Sequence, residues 1–232
     1  LPKLETKTYT LTLPSTGEDI KFRPFLVKEQ KTLMMAQESK NDGEIVDAMS
    51  QLISDCTFEK VDPKTCPMFD AEYIFLKLRS KSIGETVDLK VLCPDDNETQ
   101  VNISVNLEDI ECFMTDDHSN IVNITDTVKM VFNYPLLQSF KNVDNKNETT
   151  ALFDMIAECI QEIHYGEDIY NKIDISNKEI QEFLDSLDTN QFKKVSDFFE
   201  TMPRVRHPVK VINPKTKVEG EIMLEGLQSF LA

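Results

Sequence analysis

The sequence has 232 residues, 40% of them hydrophobic and 28% charged, which is enough to bury the core of one large domain or of two smaller ones. Its 25 basic and 41 acidic residues give a formal net charge of -16. This excess of acid argues against binding to nucleic acid or to an anionic membrane, since both need clustered Lys and Arg, and no apolar run is long enough to cross a bilayer. The charge fits either a surface whose only role is solubility or a surface matched to a basic partner.

Five cysteines are scattered along the chain, an odd number with no C-x-x-C spacing. Secreted proteins of this size more often show paired cysteines, so the pattern favours a reducing interior. The stretch "LCPDD" (92–96) resembles half of a zinc knuckle, but its possible partner turns, "LPST" and "INPKT", contain no cysteine. We therefore interpret Cys93 as a small buried apolar residue and expect no metal.

The first part of the chain predicts one hairpin and three helices. Alternating residues at 8–13 and 20–26 flank the turn "PSTGED", and a helical pattern follows at 27–39. Apolar residues at i, i+1, i+4, i+7 and i+8 predict a second helix: Ile45, Val46, Met49, Leu52 and Ile53. A third helix is predicted from a cap at Asp70 to about Ser82.

Residues 85–132 change to a period of two. Apolar residues alternate at 87–93 and at 101–107 around the turn "PDDNE", which predicts a second hairpin. The runs "IVNI" and "TVKMVFNY" continue this antiparallel pattern.

From Pro135 the pattern is helical again. An i, i+3, i+4 stripe runs from Leu152 to Ile163, "SNKE" (176–179) has the spacing of a capping box, and "DTNQ" (188–191) predicts another helix start. The apolar stripes between 150 and 202 are either core or an exposed binding groove. A third proline-led hairpin and a short helix follow.

This order of elements predicts an α+β fold, with antiparallel β hairpins and sheets and an intervening helical subdomain. We expect three segments. Residues 1–134 form a mixed β/α region with antiparallel hairpins, 135–203 a helical subdomain, and 204–232 a hairpin and short helix that return to the first region.

The sequence shows no catalytic motif. It lacks G-x-S-x-G, the P-loop and G-x-G-x-x-G, and carboxylate pairs carry no information in so acidic a chain. Asp116, Asp117 and His118 are one conceivable metal site for a hydrolase, but they lack helical spacing and a second ligand motif, so we interpret them as a loop. We expect a protein that is not an enzyme, has no cofactor, and binds neither nucleic acid nor a small molecule.

Two stretches combine basic and aromatic residues in this otherwise acidic chain, "KFRPFL" (21–26) and the helix around Arg79. Each also has a plain structural interpretation, as the outward face of a strand and the polar face of a helix. The candidate partner contacts are Lys21, Phe22, Arg23, Phe25 and Arg79. We expect charge reversal at Arg23 and Arg79 to leave the fold intact.

Three stretches resemble the baseplate hub protein family of T-even-like contractile-tailed bacteriophages, in the form found in marine and cyanobacterial phages. They are "LPKLETKTYTLTLPSTGEDIKFRPFLVKEQKTLMMAQES" (1–39), "FDAEYIFLKLRSKSIGE" with the following "LCPDDNETQVNISV" (69–105), and "NPKTKVEGEIMLEGLQSFLA" (213–232). The resemblance extends over nearly the whole chain and is weakest at 135–203.

The resemblance implies a late protein that acts when the central hub of the tail baseplate is built. It implies partners among the other tail and baseplate hub proteins, the tape-measure protein included. It places the chain in the virion tail baseplate, and in the host cytoplasm during assembly. The alternative is a transient tail-assembly chaperone for a hub or tape-measure protein that is absent from the mature virion.

The three hairpins have two interpretations. Their free edges can accept a strand from a partner protein, which gives main-chain hydrogen bonds without further chemistry. Alternatively, the hairpins pair with one another in a single sheet.

Overall fold

The computed structural model describes residues 5–145 and 147–230. Within these ranges the chain has six α-helices and eleven strands in small antiparallel sheets, which confirms the predicted α+β fold. The chain forms two compact units. Unit 1 takes in the described residues up to Phe113 and from Pro203 onward, and unit 2 is Met114–Met202. The second unit thus begins at Met114, whereas the helical subdomain was predicted to begin at residue 135.

The elements follow one another along the chain with short connections. Unit 1 opens with β1 (Tyr9–Thr12), β2 (Asp19–Phe22), α1 (Val27–Ser39), α2 (Asp42–Cys56), α3 (Met68–Ser82), β3 (Thr86–Leu92), β4 (Gln100–Asn106) and β5 (Glu111–Phe113). Unit 2 contains β6 (Ile121–Asn123), β7 (Val128–Phe132), α4 (Glu148–Cys159), β8 (Ile160–Tyr165), β9 (Asp168–Asn171), α5 (Asn177–Asp185) and α6 (Thr189–Thr201). The chain returns to unit 1 with β10 (Arg204–Ile212) and β11 (Glu219–Glu225). No helix of the described ranges is both long and apolar enough to cross a membrane.

Unit 1 has three separate small sheets. β1 pairs with β2, β3 pairs with β4, and β11 pairs with β10, which also pairs with β5. The hairpins therefore do not form one common sheet, and that interpretation of the sequence is wrong. Helices α2 and α3 supply much of the core, because their apolar stripes are fully buried: Leu52, Ile53, Ile74, Leu76 and Leu78.

Helix α3 starts earlier than predicted. Its first residue is Met68, directly after Pro67, so Asp70 lies inside the first turn and does not cap the helix. The buried Asp70 carboxylate instead accepts a hydrogen bond from the backbone N–H of Ser15 (3.0 Å) and another from the Ser15 hydroxyl.

Unit 2 has a four-stranded antiparallel sheet in the order β6-β7-β8-β9. One sheet face packs on α4, α5 and α6 through a continuous apolar core that includes Met130, Phe132, Ile156, Ile160, Ile180, Leu184, Val195 and Phe198. The predicted caps of the last two helices are confirmed. Ser176 and Glu179 form a reciprocal capping box at α5, and Asp188 and Gln191 do so at α6.

The predicted helical stripe from Leu152 to Ile163 is wrong in its second half. Helix α4 ends at Cys159, and the next residue begins strand β8, which pairs with β7 and β9. Apolar residues at this spacing fit either state locally, and pairing on both edges of β8 decides for the strand. His164 therefore lies within a strand, not at a helix end.

Candidate protein-contact surfaces

The aromatic residues of the predicted basic contact belong to the core. Strand β2 alternates, so Phe22 points inward and is 2% exposed, while Lys21 on the opposite face is exposed. The Phe22 ring stacks on Tyr9 of the neighbouring strand at 5.6 Å between centroids. Phe25 is 7% exposed, and its backbone N–H donates to the Ser82 hydroxyl at the end of α3 (2.9 Å). Phe22 and Phe25 are thus interior packing residues, and their selection as partner contacts is corrected.

Arg23 is held by the chain itself. Its side chain is 14% exposed, and Nη2 lies 3.0 Å from Oε1 of Glu29, while Nη1 donates to the Pro24 carbonyl. Burial raises the pKa of the Glu29 carboxyl, but hydrogen bonds from Arg23 and from the Leu26 N–H outweigh this effect and hold that pKa below its usual value. Arg23 therefore stabilises the start of α1, and reversing its charge would place two carboxylates together.

The basic side chains of α3 also make internal contacts. Lys77 Nζ donates to the carbonyl of Glu108 (2.8 Å), and Lys81 Nζ lies 2.8 Å from Oε1 of Glu85. Burial lowers the pKa of Arg79, which is only partly exposed. Of the five candidate contact residues, Lys21 alone is fully on the surface, so these residues do not form one exposed patch.

His118 serves as a packing residue in unit 2. Its Nδ1 lies 2.9 Å from Thr201 Oγ1 and its Nε2 lies 3.2 Å from the Tyr134 hydroxyl, so both ring nitrogens are occupied. Its ring also packs against Phe198 at 5.2 Å between centroids. Asp116 and Asp117 are exposed, and no group of three His, Cys, Asp or Glu residues in the described ranges is arranged to hold a metal. His118 therefore ties the 114–120 loop to α6.

The three hairpins of unit 1 share one turn. In each, the residue before a proline accepts a hydrogen bond from the N–H four residues later, at 2.8–2.9 Å: Leu13 from Gly17, Cys93 from Asn97, and Asn213 from Lys217. Gly17, Asn97 and Lys217 all have a positive φ, between 53° and 70°. We call residues 13–17, 93–97 and 213–217 the proline-led turns.

Two of the proline-led turns bind each other. Asn213 is fully buried, and its Nδ2 donates to Asp95 Oδ1 and to Asp96 Oδ2, both at 2.9 Å. The Thr216 hydroxyl adds a bond to Asp95 Oδ2 (2.6 Å) and helps to hold the pKa of Asp95 below its usual value. The structure thus brings "INPKT" against "LCPDD", the pairing that a two-knuckle zinc site would need. Hydrogen bonds join the two turns there, and Cys93 is a buried apolar residue of the core.

Strand β4 has an open edge. In the β3–β4 register, Val101, Ile103 and Val105 exchange hydrogen bonds with β3, so Asn102 and Ser104 direct their N–H and C=O groups outward. No backbone hydrogen bond from another described residue reaches these outward groups, and both side chains are exposed. β4 also contains no charged residue and no proline, the residues that usually block edge pairing.

Comparison with known families identifies the chain. A family model described as T4 bacteriophage base plate protein matches residues 6–232. The chain belongs to this family. No curated protein and no solved structure shows significant similarity to it. A T4-type baseplate protein is a structural component of the virion tail and contacts other tail or baseplate proteins.

For a baseplate protein, the open β4 edge is a more suitable contact than the predicted basic residues. Sequence reasoning pointed to hairpin edges in general but did not select Asn102 and Ser104. The available signal was the uncharged run "QVNISVN" (100–106), since a native edge strand normally carries a Lys, a Pro or a bulge.

Proposed function

We propose that this baseplate protein is a structural and assembly component of the central hub, and that it acts through protein–protein contacts without catalysing a reaction. The hub role follows from the resemblance of its three signature stretches to hub proteins of T-even-like phages. Other hub proteins and the tape-measure protein are the proposed partners. Assembly would take place in the host cytoplasm.

The open edge of β4 is the observation that carries the contact mechanism. A partner strand laid beside β4 would satisfy the outward backbone groups of Asn102 and Ser104, each bond adding about 0.5–1.5 kcal/mol net. Seven residues of uncharged strand give such a partner room for several bonds. The interaction needs no catalytic group, which agrees with the absence of a catalytic motif from the sequence.

Proline substitution tests this edge. Ser104→Pro removes an outward N–H and leaves the bonds between β3 and β4 in place, so it should preserve the fold and block strand addition. Asp88→Pro is the matched control, because Asp88 pairs with Ser104 in the register and faces the opposite edge of the same sheet. Phage carrying Ser104→Pro should give far fewer complete tails than phage carrying Asp88→Pro. Equal tail numbers, with both proteins folded, would refute the β4 contact.

The second candidate function is a transient assembly chaperone, and the net charge of -16 favours it. Strongly charged surfaces support fast, salt-sensitive association, which suits a partner that must leave. Quantitative mass spectrometry of purified virions separates the two roles. Peptides of this chain in fixed stoichiometry with other baseplate proteins support the hub component, and their absence from intact virions supports the chaperone.

A further inference from the structure

Unit 2 contains an apolar groove that its own core leaves open. A cavity of about 340 Å³ lies between the β7–β8–β9 sheet and helix α5. We define the apolar groove by the side chains that line it: Val128, Ile163, Tyr165, Tyr170, Ile180 and Phe183. Its size is that of a site for one or two large side chains, at the low end of ligand pockets.

The strand register places the groove on the core-facing side of the sheet. Val128 is opposite Tyr165, and Ile163 is opposite Tyr170, so these side chains share one face. Ile163 and Ile180, at the inner end, are buried by α5, whereas Tyr165 and Tyr170, toward the outer end, are 57% and 47% exposed. Helix α5 therefore covers only part of this face, and two aromatic rings remain in solvent.

The chemistry around the groove is acidic. Glu179 is part of its lining, Asp168 is opposite Tyr165 in the register and shares that face, and no lining residue is basic. Hydrogen bonds from Ser176 hold the pKa of Glu179 below its usual value, so this carboxylate stays charged. Unit 2 as a whole has 17 acidic and 7 basic residues, a formal net charge of -10.

We propose that the apolar groove is a docking site for a partner protein segment that inserts a large apolar side chain beside lysine or arginine residues. The exposed tyrosines supply apolar contact area and hydroxyl groups at little cost in side-chain entropy, as aromatic residues do at interaction hot spots. The acidic surroundings select a basic segment over an acidic one and speed its approach. This inference does not depend on the hub assignment or on the β4 edge.

Peptide binding to the purified full chain tests the proposal. The probe is a fluorescein-labelled 14-residue peptide of leucine and lysine with leucines on one helical face, and its counterpart carries glutamate in place of lysine. The Leu/Lys peptide should bind and the Leu/Glu peptide should not, by fluorescence anisotropy. The double variant Tyr165→Ser/Tyr170→Ser should weaken binding of the Leu/Lys peptide at least ten-fold.

Ile169→Ser is the matched control. Ile169 is 56% exposed on β9, next to Tyr170, but its side chain points to the opposite face of the sheet. This variant should bind the Leu/Lys peptide like the unmodified protein. All three side chains are largely exposed, so the variants should fold, which circular dichroism verifies.

Three results would overturn the proposal. The first is equal binding of the Leu/Lys peptide by the double variant, which would show attraction by net charge alone. The second is equal binding of the Leu/Glu peptide. The third is self-association of the unmodified chain in sedimentation experiments that the double variant abolishes, because the occupant of the groove would then be a second copy of this chain.

Discussion

The two units use buried polar groups in opposite ways. Among the described residues, all seven buried polar or charged side chains lie in unit 1: Glu29, Thr57, Asp70, Lys77, Ser80, Thr99 and Asn213. In the described part of unit 2 the buried residues are apolar, and its capping residues Ser176, Glu179 and Asp188 are exposed. Unit 1 carries a formal charge of -6 and the shorter unit 2 carries -10.

This difference shows how each unit is specified. In unit 1 the buried polar groups decide which turn meets which element, because an unpaired one would cost about 1–3 kcal/mol. Asp70 selects the first proline-led turn, and Asn213 selects the second. Unit 2 depends on apolar packing, which tolerates an incompletely covered face, and that face contains the apolar groove.

The largest expected effect is the loss of an aromatic ring from the core of unit 2. Phe198 stacks on Phe132 at 4.8 Å and meets Phe199 edge-on at 4.9 Å. Phe198→Ala should reduce the free energy of unfolding of unit 2 by about 3–5 kcal/mol, the range for large-to-small substitutions that leave a cavity. Hydrogen exchange with mass spectrometry should show faster exchange throughout unit 2 and little change in β3 and β4. Tyr170→Ser, an exposed aromatic of the same unit, is the control and should cost little.

The buried ion pair of unit 1 should show the next largest effect. Arg23→Glu removes the hydrogen bond to Glu29 and sets two carboxylates together, so it should reduce the free energy of unfolding by about 1.5–3 kcal/mol. Urea denaturation measures the change. This expectation replaces the one drawn from the sequence, in which charge reversal at Arg23 leaves the fold intact.

Lys21→Glu is the matched control for Arg23→Glu. It makes the same charge change two residues earlier, but on the exposed face of β2, where substitutions usually change stability by less than about 0.5 kcal/mol. If the two variants were equally stable, the pairing of Arg23 with Glu29 would contribute nothing, and Arg23 would regain its place as a surface residue.

Local signals in the sequence predicted the elements whose neighbours in sequence decide their structure. The stripe of α2 and the capping boxes of α5 and α6 depend on residues within a few positions of one another, and all three are confirmed. The end of α4 was missed because pairing with β7, distant in sequence, decides it. A local signal was available at this point. Gly166, with φ 62°, opens a two-residue loop between Tyr165 and Asp168, a pattern typical of a tight hairpin.

The candidate contacts failed for a related reason. Ile20 and Phe22 alternate with Lys21, and this period of two already indicates that Phe22 points inward. The Arg23–Glu29 pair and the Asn213–Asp95 pair join residues 6 and 118 positions apart, and no periodicity reports such contacts. Pattern reasoning therefore identified basic residues correctly and assigned them to the wrong environment.

Tight packing between two proline-led turns should give a smaller but specific effect. A Cβ at Gly220 would lie 2.5 Å from Cγ of Pro94, and a proline ring has little freedom to move. Gly220→Ala should therefore reduce the free energy of unfolding of unit 1 by about 1–3 kcal/mol, as overpacking does. Adding Pro94→Ala should restore part of the loss, so the double variant should be more stable than the sum of the single changes predicts. Strict additivity would show that the two turns do not touch as described.

The smallest expected effect is a pH dependence in unit 2. Burial lowers the pKa of His118, partly offset by Asp117, so the folded chain binds a proton less readily than the unfolded chain, whose histidine pKa is about 6.5. Between these two pKa values the unfolded state holds more protons, and the stability of unit 2 should fall as the pH drops below about 6.5. It should level off once the folded His118 is also protonated. His118→Gln should remove this slope, measured by urea denaturation between pH 5.5 and 7.5.

His207→Gln serves as the control for this slope, because His207 lies on β10 in unit 1. Its unfolding should keep the pH dependence of the unmodified protein, since the His118 contacts with Thr201 and Tyr134 are intact. A slope that survived in His118→Gln would mean that carboxylates, which are abundant in unit 2, titrate in this range. The aromatic core would then not be the place where unit 2 responds to mild acid, and the contrast with the polar contacts of unit 1 would be weaker.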